Sequence, residues 1–170
     1  MPFVKVKDKA MVTDRPPIVT VRHVGIVVRD LARSLEFYRD ALGLTIARDM
    51  KEQGLFIDEV LDYKNTRVHT VKLATITGNT QLELLSFDCP ILSQRDATPV
   101  IAIGITHVAL QVDNLINLYA KLLSIGVRFQ SPPRISPDGR ALVAFCFDPD
   151  NNALELVELR QSSPHKEKHL

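Results

Sequence analysis

The sequence predicts an α+β fold made of two similar halves. Residues 23–28 (HVGIVV) resemble residues 107–112 (HVALQV), and a helical pattern and then segments of two-residue periodicity follow each of them. Both halves end on a Leu-Glu-Leu triplet, centred on Glu83 in the first and on Glu155 in the second. Each half is therefore predicted to be a strand, a helix and three strands, which is a βαβββ module.

The composition is that of an ordinary globular protein. The chain has 170 residues, is 45% hydrophobic and 24% charged, and carries a formal net charge of +1. These values exclude a disordered, collagen-like or coiled-coil chain. The near-neutral net charge shows no excess of positive charge that would favour binding to nucleic acid or to a membrane surface. No apolar run approaches the ~20 residues of a membrane span, and residues 1–20 lack the apolar core of a secretory signal. Cys89 and Cys146 form no disulfide framework, which predicts a reducing, cytoplasmic location.

The length suits one compact domain. The polar composition at both ends and the two prolines between the halves set its expected limits. We expect an N-terminal extension at 1–19, a single domain at 20–160 with modules at 20–88 and 104–160 joined by a linker at 89–103, and a polar tail at 161–170.

In the first half, Asp30 is placed to cap the helix, because its short side chain can accept a free backbone N–H of the first turn. Gly43 follows the helix as a C-cap. The predicted apolar face of the helix consists of Leu31, Leu35, Tyr38 and Leu42, and the predicted strands lie near residues 45–49, 69–75 and 81–87, with an insertion at 51–65.

The second half repeats this order. Asn114 is the predicted N-cap and Gly126 follows the helix. The predicted apolar face consists of Leu115, Leu118, Tyr119, Leu122 and Leu123, and the predicted strands are 128–130, 141–147 and 153–159, with turns at 136–139 and 148–151.

Four side chains recur at equivalent places in the two halves. His23 and His107 begin equivalent strands, and Glu83 and Glu155 each lie between two leucines. Because strand side chains alternate, each glutamate points to the face that its leucine neighbours avoid. A carboxylate on the concave face of a sheet is costly unless it is paired or binds a cation. The candidate metal ligands are therefore His23, Glu83, His107 and Glu155.

Two imidazoles and two carboxylates suit one divalent ion of borderline softness, namely Zn, Ni, Co, Mn or Fe. Such a set leaves coordination positions open for substrate, as in catalytic metal sites. His69 has no equivalent in the other half and is predicted to be a surface residue of a strand. Cys146 alternates with two phenylalanines and is predicted to pack in the core.

The motifs together resemble those of the vicinal oxygen chelate superfamily, over about residues 20–160. They are HVGIVV from His23, SLEFYRDALGL from Ser34, LEL around Glu83, THVALQV from Thr106 and DPDNNALELVE from Asp148. The resemblance implies a cupped mixed sheet with the helices outside, often completed across a homodimer. It also implies a small-molecule substrate and places the superfamily's metal positions on the same four residues.

Within the superfamily, the full His/Glu/His/Glu set is most similar to that of glyoxalase I, or lactoylglutathione lyase. That similarity implies a lyase or isomerase that moves a proton between adjacent carbons of an α-carbonyl compound through a metal-bound enediolate. Glu155 would be the principal base and Glu83 its counterpart on the other face of the substrate. Val27 stands where bacterial glyoxalase I has a glutathione-binding arginine, and Phe87 stands where it has an asparagine.

Three other functions stay open. The stretch around Glu52 resembles methylmalonyl-CoA epimerase, in which a glutamate there assists proton transfer. Two histidines and one glutamate would suffice for an Fe(II) extradiol dioxygenase. The same cupped sheet, without a metal ion, would bind a small ligand in a non-catalytic binding or resistance protein. In any of these, the candidate anchors for an anionic substrate are Arg67, Arg134 and Arg140.

Overall fold

The computed structural model describes residues 18–89 and 100–160. Most of the expected N-terminal extension, residues 90–99 of the expected linker and the expected tail lie outside the described residues. The strands are β1 (His23–Val27), β2 (Thr45–Gln53), β3 (Arg67–Ala74), β4 (Gln81–Cys89), β5 (His107–Gln111), β6 (Arg134–Ile135), β7 (Ala141–Phe147) and β8 (Ala153–Leu159). The helices are α1 (Leu31–Leu35), α2 (Leu55–Leu61) and α3 (Leu115–Ser124).

The strands form two four-stranded mixed sheets with the same topology. The strand order is β1-β4-β3-β2 in the first sheet and β5-β8-β7-β6 in the second. In each sheet the first strand of the module is parallel to the last, and the remaining pairs are antiparallel. The predicted α+β fold of two βαβββ modules is thus confirmed. No helix among the described residues is long and apolar enough to cross a bilayer.

Both predicted helix caps are present. The Asp30 carboxylate accepts a hydrogen bond from the backbone N–H of Arg33 at 3.1 Å, and the Asn114 side chain accepts one from Asn117 at 3.0 Å. Each satisfies one of the free N–H groups of a first helical turn. Gly43 and Gly126 both have a φ of +83° beyond the helix ends, as the predicted C-caps require.

The first helix departs from the regular α-helical period. After α1 the chain continues as a π-helical segment, Glu36–Ala41, and the Leu42 N–H donates to the carbonyl of Phe37 five residues earlier. The wider turn places Phe37 beside Tyr38 on the buried side. A strict spacing of three and four residues does not predict that Phe37 is buried.

Two local predictions are wrong, and one predicted insertion contains regular structure. Residues 128–130 form only one isolated bridge, between Phe129 and Cys146, and the short edge strand of the second sheet is β6 instead. The prolines at 132 and 133 lack the N–H that a strand needs, so the pairing with β7 is interrupted after Gln130. The insertion at 51–65 is partly ordered, since β2 runs to Gln53 and α2 follows. Leu123, predicted to lie on the apolar face, is exposed.

One hydrophobic core serves both modules. It joins the inner faces of the two sheets, including Leu73 and Leu84 of the first and Leu154 and Leu156 of the second, to the buried side chains of the helices. Leu84 flanks Glu83 in β4, and Leu154 and Leu156 flank Glu155 in β8. The two glutamates therefore project from the faces that this core does not cover. The packing of the core therefore determines which face of each sheet carries a candidate glutamate, and we call this face the site face.

Candidate functional site

The first candidate pair lies on two neighbouring strands. His23 begins β1 and Glu83 lies in β4, and their Nε2 and Oε2 atoms are 3.0 Å apart. The residue of β1 directly opposite Glu83 is Gly25, so no side chain competes with the histidine for the carboxylate. The His23 side chain is 34% exposed and that of Glu83 is 13% exposed. The imidazole therefore reaches solvent while the carboxylate is largely enclosed.

The second pair repeats this geometry in the other sheet. His107 begins β5 and Glu155 lies in β8, with Nε2 and Oε2 at 3.4 Å. The strand neighbour opposite Glu155 is Ala109, again a small residue. The Glu155 side chain is 24% exposed, which is almost twice the value for Glu83. The Thr106 hydroxyl lies 2.9 Å from His107 Nδ1 and orients the ring.

The two glutamates differ in their other cross-strand neighbour. Lys72 of β3 lies opposite Glu83, and its Nζ is 3.0 Å from Oε1 of that carboxylate. The equivalent neighbour of Glu155 is Phe145 of β7, whose ring packs edge-on against His107 with a centroid distance of 5.2 Å. Glu83 is thus held by two groups, whereas among the described residues Glu155 has an ionic contact with His107 alone.

The four predicted ligands form two pairs. Within residues 18–89 and 100–160, no group of three or more His, Cys, Asp or Glu side chains lies close enough to hold a metal ion. Each pair offers one imidazole nitrogen and one carboxylate, which are donors that borderline divalent ions accept. Each pair therefore supplies half of the predicted donor set.

Other candidate residues lie at different places. His69 is on the opposite face of β3 from Lys72 and pairs with Asp49 at 2.6 Å, outside the candidate site. Cys146 is fully buried, and burial raises the pKa of its thiol to about 12, as expected for a packing residue. Glu52 lies on the site face of β2, where it accepts a hydrogen bond from Thr70 at 3.0 Å.

The three candidate arginines are exposed. Arg134 pairs with Val143, which shares the face of Glu155, so it lies at the edge of the second site face. Arg67 begins β3, and Arg140 lies in the turn before β7. Sequence reasoning did not find Lys72, although a lysine between two buried aliphatic residues of a strand is a signal that it faces a partner or a ligand.

Comparisons with known proteins agree with this architecture. The family model of the glyoxalase/bleomycin resistance protein/dioxygenase superfamily matches residues 20–156. The chain belongs to this superfamily. The resemblance read from the motifs is therefore confirmed at the level of the superfamily, which includes enzymes and commonly uses divalent metal ions.

Two curated relatives and one solved structure illustrate the range of the superfamily. The uncharacterised Escherichia coli protein YaeR is 30% identical over 81% of this chain and 95% of its own length. A lactoylglutathione lyase from Schizosaccharomyces pombe is 28% identical over 85% of this chain and 49% of its own length. A glyoxalase family protein from Bacillus cereus superimposes with a TM-score of 0.79 over 89% of this chain and all of its own, at 19% identity, which supports the fold alone.

Proposed function

We propose that the protein is a divalent-metal lyase or isomerase of the glyoxalase type that moves a proton between adjacent carbons of an α-carbonyl compound. The observation that carries this proposal is the pair of repeat-related His–Glu contacts, at 3.0 Å and 3.4 Å, on the sheet faces that the core leaves open. A relative named as a lactoylglutathione lyase supports the reaction class.

The residues that would hold the metal are His23, Glu83, His107 and Glu155. The ion would supply positive charge that stabilises the negative charge developing on the substrate oxygens during proton removal. Glu155 then takes the proton from the carbon beside the carbonyl with its carboxylate and returns it to the neighbouring carbon. Phe145 lies opposite Glu155 in the neighbouring strand and makes that side of the site apolar.

The asymmetry of the pairs supports Glu155 as the principal base. A base must leave its resting contacts to reach the substrate, and Glu155 has one contact at 3.4 Å to give up. Glu83 would have to break contacts with both His23 and Lys72, each at 3.0 Å. Glu83 is thus suited to remain fixed and Glu155 is suited to move.

The proposed substrate is a small molecule other than a glutathione adduct. Val27 and Phe87 occupy the positions at which the resemblance to glyoxalase I places glutathione anchors, and Val27 presents an exposed apolar side chain there. We further propose that a second copy of the chain completes each site, since the four ligands form separate pairs within the described residues. Superfamily members often form dimers. A cytoplasmic location is part of the same proposal, on the ground of the cysteine usage.

Proton exchange in D2O tests the reaction class without knowledge of the product. Metal-loaded protein is incubated with hydroxyacetone, the methylglyoxal–glutathione hemithioacetal and methylmalonyl-CoA, and loss of each α-proton is followed by proton NMR. We expect exchange with at least one compound, and a decrease by roughly 10²-fold or more in Glu155→Gln, as for loss of a general base. Exposed Glu59 of α2 provides the matched control, Glu59→Gln, which keeps full exchange. Undiminished exchange in folded Glu155→Gln contradicts the proposal.

One observation favours a second candidate function, a metal-free binding module. The ammonium of Lys72 already neutralises Glu83 at 3.0 Å without a metal ion. Elemental analysis of protein purified without chelator, followed by titration with Zn or Ni, separates the two functions. Stoichiometric metal supports the enzyme, whereas substoichiometric metal with no tight uptake supports the binding module.

A further inference from the structure

We propose that Lys72 is a specificity-determining residue that anchors a carboxylate of the substrate beside the metal site, so that the substrate class is a small α-carbonyl carboxylate with an apolar substituent. This inference rests on the proposed function, because it concerns what the same site binds. It assigns to Lys72 the anion-binding role for which the sequence offered only Arg67, Arg134 and Arg140.

The placement of Lys72 follows from the strand register. Gly25, Glu83, Lys72 and Arg48 form one row across the first sheet, on one face. The Lys72 side chain is 13% exposed, so its ammonium lies beside Glu83 and has little contact with solvent. Arg48, the next residue in the row, is exposed and adds a second positive charge at the rim. Gly25 at the other end of the row has no side chain, and Leu85 packs over it, since a Cβ at Gly25 would lie 3.3 Å from Leu85 Cδ1.

Charge balance indicates what this row recognises. A divalent ion held by Glu83 and Glu155 is neutralised by their two carboxylates, so the positive charge of Lys72 remains without a counter-charge in the loaded site. An ammonium with most of its surface enclosed is stabilised by an anion within hydrogen-bonding reach. Lys72 has three donors and uses one of them on Glu83, which leaves donors free for a substrate carboxylate.

The next rows along the same face describe the rest of the substrate. Val27, Leu85, Thr70 and Met50 form the row beside Lys72, and Phe87, Val68 and Glu52 form the row after it. Most of these side chains are apolar. Thr70 and Val68 are buried, whereas Val27 is 49% exposed, so the open part of this surface lies at Val27. A charged head at Lys72 and an apolar substituent at Val27 therefore fit the first sheet.

A matched pair of chelating probes tests the inference by binding and not by turnover. Acetohydroxamate and malonomonohydroxamate present the same metal-binding group and differ by one carboxylate. Their affinities for Ni-loaded protein are measured by isothermal titration calorimetry, after the metal content of every sample has been counted. We expect the carboxylated probe to bind wild type at least about 10-fold more tightly, as for a charge-assisted hydrogen bond.

Three variants assign the preference to Lys72. Lys72→Met is expected to remove the preference, and Lys72→Arg to keep most of it because the positive charge remains. Lys51 lies on the opposite face of the same sheet, so Lys51→Met is the matched control and keeps the full preference. Circular dichroism and metal content show that each variant is folded and loaded, and Lys72→Gln replaces the methionine variant if that variant does not fold.

The outcomes separate this inference from the function on which it rests. Equal affinity of wild type for the two probes, or a preference that survives in the Lys72 variants lacking the charge, overturns the inference while metal uptake still supports the proposed function. Failure of wild type to take up metal overturns the proposed function and this inference together.

Discussion

At the scale of single residues, one buried hydrogen bond connects the two modules. Tyr38 is fully buried, and its hydroxyl donates to Oδ2 of Asp148 at 2.8 Å. Burial and the adjacent carboxylate hold the pKa of Tyr38 well above its ordinary value. Asp148 also accepts hydrogen bonds from Asp150 and Asn152, so its buried charge is well satisfied.

Replacement of Tyr38 by phenylalanine removes one donor from this buried carboxylate. We expect Tyr38→Phe to lower the free energy of unfolding by about 1–3 kcal/mol, the range for a hydrogen bond to a charged group. Urea unfolding at pH 7 measures the change. Tyr119 packs against the ring of Phe129 and is the control, since Tyr119→Phe keeps that ring contact and is expected to change little. Equal effects of the two substitutions contradict the importance of the link to Asp148.

The thiol of Cys146 provides a second test at this scale. Its pKa is raised from 9.0 to about 12 by burial, so its reactive thiolate form is suppressed about a thousand-fold near pH 8. In a Cys89→Ser variant, we expect Ellman's reagent to label Cys146 only after denaturation. The contribution of this pKa shift to the stability of the fold is fully present below pH 9.0, and it is lost as the pH rises towards 12. Rapid labelling of the folded protein contradicts the buried position.

At the scale of elements, the two halves begin their helices in the same way. Asp30 and Asn114 cap α1 and α3 at almost equal distances, 3.1 Å and 3.0 Å. Because α1 has five residues before its π-helical continuation while α3 has ten, α1 has less helical hydrogen bonding of its own to sustain it. The hydrogen bond from the Arg33 N–H to Asp30 is therefore important for the stability of α1.

Loss of either cap has a measurable effect on stability. We expect Asp30→Ala and Asn114→Ala each to lower the free energy of unfolding by about 1 kcal/mol, as for other N-caps. Asp113 precedes the second cap and is exposed, so Asp113→Ala is the matched control and is expected to stay within about 0.5 kcal/mol of wild type. Urea unfolding of the three variants checks this. A cap variant as stable as the control would remove the energetic role assigned to that cap.

The same elements show how far a sequence predicts structure and site. Long strands such as β7 and β8 were predicted with the observed ends, because their alternation is unbroken and turn residues bound them. The π-helical widening at Phe37 was not predicted, since a regular helical spacing does not show that Phe37 belongs to the shared core. Lys72 was missed for a related reason, because which residue lies opposite Glu83 depends on strand register.

At the scale of the whole molecule, the position of the shared core is compatible with the proposed completion of each site by a second copy of the chain. The core occupies the inner faces of both sheets, and the two His–Glu pairs lie on the faces that it leaves open. A two-fold dimer can bring the first pair of one copy to the second pair of the other, which forms two equivalent sites. This arrangement predicts complementation between inactive copies.

Two differently tagged variants test the arrangement. One chain carries His23→Ala with Glu83→Gln, and the other carries His107→Ala with Glu155→Gln. Each alone is expected to bind no metal tightly, whereas the purified mixed dimer is expected to bind about one ion, because one of its two sites has all four ligands. Native mass spectrometry counts subunits and metal together. A mixed dimer without metal, beside loaded wild type, would place both pairs of a site in one chain.

The unequal neighbours of the two glutamates have a consequence for how such a site can specialise. In an assembly of identical single modules, any mutation opposite the carboxylate appears on both sides of the ligand at once. With two modules in one chain, the position beside Glu83 carries a lysine while the corresponding position beside Glu155 carries a phenylalanine. The two modules of one chain can therefore diverge at this position, so that a cation lies beside one glutamate and an aromatic ring lies beside the other.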